Sequence, residues 1–401
     1  MYPIAVYTIT SGLHDEAAVK NLSDEFLSGI FPEGGYGFFG ADFSSFGSAP
    51  LNLVYIRTGG AEGIFRDLLP GLLKRGIQRF YLLTSGKSNS LAASLEILSY
   101  LRQKQLEGEV LHGPAAYLRG RIGLLSRVES ARARLKGMNV GIIGRPSDWL
   151  ISSTFKQDIL LRKLGIRITD IPMEELLGKF EEESSTPVTD SIEATPEVQA
   201  SFPGAKRLYL ALKKLVDDHG LGALTLRCFD LLTSVRNTGC YALSMLNSEG
   251  IPSSCEGDVP ALLSMMVAQC LTGCTGFQAN PARIDAGTGE ILFAHCTIPF
   301  GMVDSFNYDT HFESGIGVGI HGHFPEGPVT VFKLSGSLDR AFIAEGELFR
   351  NQYEDNLCRT QVWVRLSPED ARYFLSNPIG NHHIIIPGHH RGLLDELVGR
   401  P

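Results

Sequence analysis

The feature that most constrains the fold is the regular alternation of strand-like and helix-like segments over the first 130 or so residues. "PIAVYTIT" reads as a buried strand and "DEAAVKNLSDEFLSGI" has helical apolar spacing. "LNLVYIRTGG" is a strand running into a glycine turn, followed by a helical "AEGIFRDLLPGLLKRG" that Pro70 is expected to bend. "RFYLLTSG" is a third strand, and "SLAASLEILSYLRQKQ" an amphipathic helix with Ser90 as its candidate N-cap. Strand–turn–helix units of this kind predict a parallel, doubly wound sheet, because a crossover helix is what lets consecutive strands run the same way.

A second α/β unit begins after "SARARLKG": "MNVGIIG" as a strand, "RPSDWLISS" as a loop at its C-terminal end, "TFKQDILLRKLG" as a helix, "IRITDIP" as the next strand. The acidic stretch "KFEEESSTPVTDSIEATPEVQ" predicts a solvated connection, and a helix ending in "ALKKLVDDHG" leads into a strand "ALTLRCFDLL". Ligands of open α/β sheets sit beyond the C-terminal strand ends, which draws Arg145, Asp148, Arg227 and Asp230 towards one crevice. From about residue 290 short alternating runs such as "EILFAHCTIP" and "TQVWVRL" predict an antiparallel sheet or small barrel. The expected organisation is two Rossmann-like α/β domains, 1–135 and 136–290, and a C-terminal β-rich, barrel-like domain, 291–401.

The formal charge of −8 argues against nonspecific binding to nucleic acid or anionic membranes, which clustered basic charge would require. Seven scattered cysteines fit reduced thiols and a cytoplasmic setting. "MYPIAVYTITSGLHDE" reads as strand and turn rather than as a signal peptide, and no apolar run reaches membrane-spanning length.

Four places put polar groups where chemistry could use them. Asp230 interrupts the apolar "LRCFDLL", and a buried carboxylate is costly unless paired or bound to a cation. Glu256 and Asp258 precede the apolar "ALLSMMVAQCL"; acids at a helix start are also explained by the helix dipole alone. His295 in "FAHCTIP" is a lone strand histidine, a pattern that more often marks a satisfied core residue. In "GNHHIIIPGHH", His382 and His383 must point to opposite faces if both are in a strand, so one of the two can face a given site. "GIGVGIHGHFPEG" lacks the strand-to-helix context of a dinucleotide fingerprint and is expected to be a loop. Two carboxylates and one imidazole would suit Mn²⁺ or Mg²⁺ better than a thiolate-rich zinc site.

Taken in order, "NSLAASLEIL", "VGIIGRPSDWL", "LTLRCFDLL", "CEGDVPALLSMM", "AHCTIPFG", "HFESGIGVGIHG" and "GNHHIIIPG" resemble the L-fucose isomerase and L-arabinose isomerase superfamily, and especially its shorter fucose-isomerase-like members. The resemblance implies two Rossmann-like domains and a β-rich C-terminal domain. It also implies aldose–ketose interconversion with Mn²⁺ held by two acids and a histidine. Carried over residue by residue, Asp230 is the first acid, Glu256 the second with Asp258 as its rival, and His382 (fucose-type) or His383 (arabinose-type) the imidazole. Asn381, Arg145 and Trp149 are then expected to line the sugar. The first acid is Asp where the family usually has Glu, and the further histidine of the arabinose-type enzymes has no counterpart near Arg283 before His295. The resemblance further implies a homo-oligomer, trimer or hexamer, in which His14 of "TSGLHDE" reaches a neighbour's site.

The expected reaction is proton transfer between adjacent carbons through an ene-diol, with Asp230 and Glu256 as the catalytic acids. The rivals are an epimerase or lyase acting on an anionic sugar, for which the arginines of "GRPSDW" and "TLRCFD" leave room, and a noncatalytic sugar-binding regulatory protein.

Overall fold

The computed structural model describes residues 2–399, which fall into two compact units divided between Ala133 and Arg134. In the first unit β1 (Ile4–Ile9), β2 (Tyr36–Gly40), β3 (Leu51–Ile56), β4 (Arg79–Thr84) and β5 (Glu107–Leu111) form a parallel sheet in the order β2-β1-β3-β4-β5. The inner strands are buried on both faces, which is why "IAVYTI" and "LNLVYI" read as nearly continuous apolar runs. Pro70 is accommodated inside the helix Glu62–Lys74.

The second unit opens with another parallel sheet, order β7-β6-β8-β9, from β6 (Asn139–Ile143), β7 (Arg167–Ile171), β8 (Ala223–Leu226) and β9 (Ser253–Ser254). Strand β8 is shorter than the apolar pattern predicted. It ends at Leu226, and Asp230 does not interrupt a strand but opens the short helix Asp230–Ser234.

The antiparallel expectation is met by a closed six-stranded barrel, β10-β11-β16-β15-β14-β17. Its members are β10 (Phe277–Asp285), β11 (Glu290–His295), β14 (Gly327–Leu334), β15 (Ala341–Gln352), β16 (Thr360–Arg365) and β17 (His383–Pro387), so the β-rich part takes in residues before 290. The glycine-rich "GIGVGIHGH", expected to be a loop, instead supplies β13 (Gly319–His323), which pairs with β12 (Ser305–Asp309) as a hairpin. Closure leaves no unpaired edge in the barrel. Its inward residues, among them Phe277, Phe293, Val331, Phe342 and Ile385, belong to one core cluster.

The helix Val259–Thr272 is apolar nearly all round because it is buried nearly all round. It packs on β8 and β9 of the parallel sheet and on β14 and β17 of the barrel, and Ser264 Oγ accepts the Leu334 amide at 2.8 Å. Its N-terminus thereby lies where the C-terminal ends of the sheet meet the barrel. Among the described residues no helix is long and apolar enough to cross a membrane.

Candidate metal centre

The segment Cys255-Glu256-Gly257-Asp258 follows β9 and turns sharply. Glu256 has φ +64° and Gly257 φ +71°, both in the left-handed region. The Gly257 amide donates to the Leu226 carbonyl, and the Ser147 amide donates to the Glu256 carbonyl, each at 3.0 Å. A Cβ on Gly257 would sit 2.6 Å from the Arg145 carbonyl oxygen. Only glycine fits that contact, and the strained φ at Glu256 is the kind of cost found where a side chain must be aimed. Gly257→Ala is therefore expected to lower stability by roughly 1–3 kcal/mol, read as a shift in denaturant midpoint at constant slope.

The barrel presents two imidazoles to the same place. Strand β10 lies between β11 and β17, with Asn280 opposite Ala294 and Ala279 opposite His383. By this register His295, one residue after Ala294, comes beside Ala279, and His382, one residue before His383, comes beside Asn280, so the two rings flank neighbouring positions of β10 with centroids 5.4 Å apart. Glu256, His295 and His382 offer one ligand atom each, all within 4.8 Å of one another. Each ring is oriented from behind. His295 Nδ1 is paired with Thr297 Oγ1 at 2.8 Å, and His382 Nδ1 donates to Asp258 Oδ2 at 2.8 Å. That leaves both Nε2 atoms for the cluster, the arrangement of ligating histidines fixed by an outer carboxylate or hydroxyl.

His382 Nε2 is buried without a hydrogen bond and lies 3.5 Å from Glu256 Oε1. A buried, aimed nitrogen without a hydrogen bond, beside a carboxylate and a second imidazole, is a donor set that fits a divalent cation.

The electrostatics follow from packing. Burial disfavours the His382 imidazolium, but the hydrogen bond to Asp258 and the charges of Glu256 and Asp258 outweigh this and push its pKa up to about 9. Burial would raise Glu256, yet His382 and the Trp149 indole hold it down to about 2. His295 is pushed down to about 3 by burial and by the nearby His382 charge. Burial likewise works against an ionised Asp258, but the Lys333 charge and His382 keep its pKa well below the usual carboxylate range. Two of the three groups of the cluster, Glu256 and His295, are thus kept in the protonation state that metal ligation uses, and His382 would release a proton on binding.

The other expected site residues distribute as follows. Asp258, the rival of Glu256, stands one shell back: Oδ2 binds His382 and Lys333 Nζ (3.4 Å), while Oδ1 caps the helix through the Ala261 amide at 2.8 Å. His383 faces away from the cluster. Its Nδ1 donates to the Asn381 carbonyl and its Nε2 is paired with the Tyr373 hydroxyl, each at 3.1 Å, and its ring packs on Phe374. Both of its nitrogens are thus engaged, and His382 is the one of the pair that joins Glu256 and His295 in the cluster. Asp230 lies outside the three-residue cluster. Its Oδ1 accepts from Arg227 Nε at 3.0 Å, and the same guanidinium binds Asp148 Oδ2 (2.9 Å) and the Pro146 carbonyl (2.8 Å). The ion pair ties Asp230 to the loop after β6.

Trp149, in that loop, donates Nε1–H to Glu256 Oε2 at 2.6 Å and packs edge-on against Phe229 (4.9 Å), which in turn meets His311 (5.7 Å). Arg145 is exposed beside Asp148. Asn381 donates to Asn280 Oδ1 at 3.0 Å. His14 belongs to the first unit, exposed in the turn after β1, where its amide donates to the Ser11 carbonyl. Sequence reasoning underrated His295: a single histidine ending an apolar strand carries no signal of its own, and only the barrel register sets it beside His382.

No family model matches the chain. Over 183 residues it is 29% identical to a sulfoquinovose isomerase of Clostridium sp. (strain MSTE9), covering 43% of this chain and 39% of that protein. Over 226 residues it is 27% identical to a sulfoquinovose isomerase of Alkalicoccus urumqiensis, covering 52% and 49%. Over 267 residues it is 24% identical to a sulfoquinovose isomerase of Priestia aryabhattai, covering 61% and 58%. The matched stretch is therefore less than two thirds of each of these relatives, all of which are sugar isomerases by name.

Proposed function

We propose that this chain is a metal-dependent aldose–ketose isomerase acting on an anionic sugar, and a short member of the L-fucose/L-arabinose isomerase superfamily. The observation that carries the reading is the Glu256–His295–His382 cluster, in which both histidines are buried and His382 Nε2 has no hydrogen bond. The similarity to sulfoquinovose isomerases supports it and points to a sulfonated aldose as substrate. One carboxylate and two imidazoles favour Mn²⁺ over Mg²⁺, which prefers an all-oxygen shell.

When bound, the ion would hold two adjacent sugar oxygens and polarise the carbonyl. The chain's own groups do the rest. Glu256 is the base that takes the proton from the carbon next to the carbonyl, giving an ene-diol, and its low pKa keeps it ionised for that step. Asp230 is the second catalytic acid, handling the returning proton from the rim of the crevice. Trp149 holds Glu256 Oε2 and offers its exposed ring to the sugar's apolar face, while Asn381 contacts a hydroxyl. Arg145 meets the anionic end, since the Arg227 guanidinium is already committed to Asp148, Asp230 and Pro146. The protein is cytoplasmic and works as a homo-oligomer in which His14 reaches a neighbouring copy.

The test is to incubate the purified, Mn²⁺-supplemented chain with sulfoquinovose in deuterated water and follow the products by NMR. A ketose with deuterium at one carbon is the expected result. Fragments would mean a lyase, an inverted aldose without ketose would mean an epimerase, and sugar binding without turnover would mean a regulatory protein.

A further inference from the structure

Lys333 has no part in the mechanism above, yet its side chain is completely buried. It sits on β14, on the same face as Val329 and Val331, which belong to the core cluster filling the barrel. Its ammonium donates to Asp258 Oδ2 at 3.4 Å, the oxygen that also accepts from His382 Nδ1. Burying an ammonium is expensive even when it is paired, and an apolar pair in place of a buried lysine and aspartate together is often the more stable choice. Packing alone would accept an apolar pair here; what Lys333 supplies is charge beside the buried Asp258.

Orientation does not call for the lysine. Asp258 is held without Lys333, by the Ala261 amide on Oδ1 and by His382 on Oδ2, both at 2.8 Å, and its backbone is fixed as the N-cap of the helix Val259–Thr272. What a neutral side chain could not supply is a fixed positive charge one carboxylate away from the ligating imidazole. With His382 neutral, as ligation requires, Glu256 and Asp258 contribute two negative charges and Lys333 one positive, leaving the neighbourhood a net −1 where it would otherwise hold −2 against the cation's +2. Resting on the metal reading above, we infer that Lys333 is a built-in counter-charge that weakens divalent-cation binding at Glu256, His295 and His382 and so keeps the ion exchangeable. A buried like charge repels a cation far more strongly than an exposed one does, because little water screens it.

The experiment is a Mn²⁺ titration of the full chain by competition with a chelating dye, comparing wild type with Lys333→Met, of similar length and neutral, and Lys333→Gln, polar and neutral. The inference predicts that either folded variant binds Mn²⁺ about tenfold more tightly or better, the scale on which outer-shell groups move metal affinity. Unchanged or weaker binding in a folded variant overturns it, because the lysine would then be neutral or merely structural. Failure of both variants to fold even with saturating Mn²⁺ overturns it as well, since it would make the ion pair a requirement of the core. If wild type itself binds no Mn²⁺, it is the metal reading that fails; if wild type binds and the variants match it, the metal reading survives and only the role of Lys333 falls.

Discussion

Glu256→Gln is expected to leave a folded protein in which the proposed aldose–ketose exchange falls by roughly a thousandfold or more, in line with removal of a positioned proton-transfer group. The substitution keeps the size of the side chain and the acceptor for the Trp149 indole, so the turn made by Glu256 and Gly257 has no cause to change. It removes the negative charge that faces His382 and His295. An amide is a negligible base and a poorer ligand, so proton abstraction and cation binding fall together. Steady-state turnover with and without excess Mn²⁺ checks this: saturating metal should restore occupancy but not rate. A variant within tenfold of wild type at saturating Mn²⁺ would remove Glu256 from the chemistry.

Asp258→Ala is expected to be the most destabilising single change at the site, by about 3–5 kcal/mol, the range for breaking a buried ion pair by removing one partner. Three losses coincide. Lys333 is left charged and unpaired in the core, Ala261 loses its capping acceptor, and His382 Nδ1 loses the oxygen that fixes its tautomer. Asp258→Asn is milder for folding because the amide oxygen can still cap the helix. It should nonetheless cost roughly 10–100-fold in metal affinity, as loss of an outer-shell carboxylate does. Urea unfolding and Mn²⁺ titration of the two variants separate the effects. A loss of stability below about 1 kcal/mol in the alanine variant would be that of a surface ion pair and would contradict the buried network.

The parallel sheets and the barrel were legible because their signals are local: continuous apolar runs for strands buried on both faces, and alternation for strands buried on one. Strand β8 was overread because "LRCFDLL" is apolar enough for a strand. The chain in fact turns at Arg227, whose guanidinium gathers Asp148 and Asp230. The hairpin strand β13 was missed because its glycines resemble a loop, and only pairing with β12 makes it a strand. At the site, resemblance supplied Glu256 and the His382/His383 pair, and strand alternation required that one imidazole turn away. What no local pattern could give was the convergence itself. His295 joins through barrel register, Asp258 becomes the orienting carboxylate through its place at a helix N-cap, and Lys333 arrives from a strand 75 residues away in sequence.

The account rests on Glu256, His295 and His382 binding one divalent cation together. The direct measurement is metal stoichiometry and affinity for Mn²⁺ after stripping and dialysis, in wild type and in His295→Ala and His382→Ala. One ion per chain in wild type, with affinity reduced at least about tenfold in each variant, is the predicted result. No bound ion in wild type, or binding that neither histidine substitution alters, would contradict it.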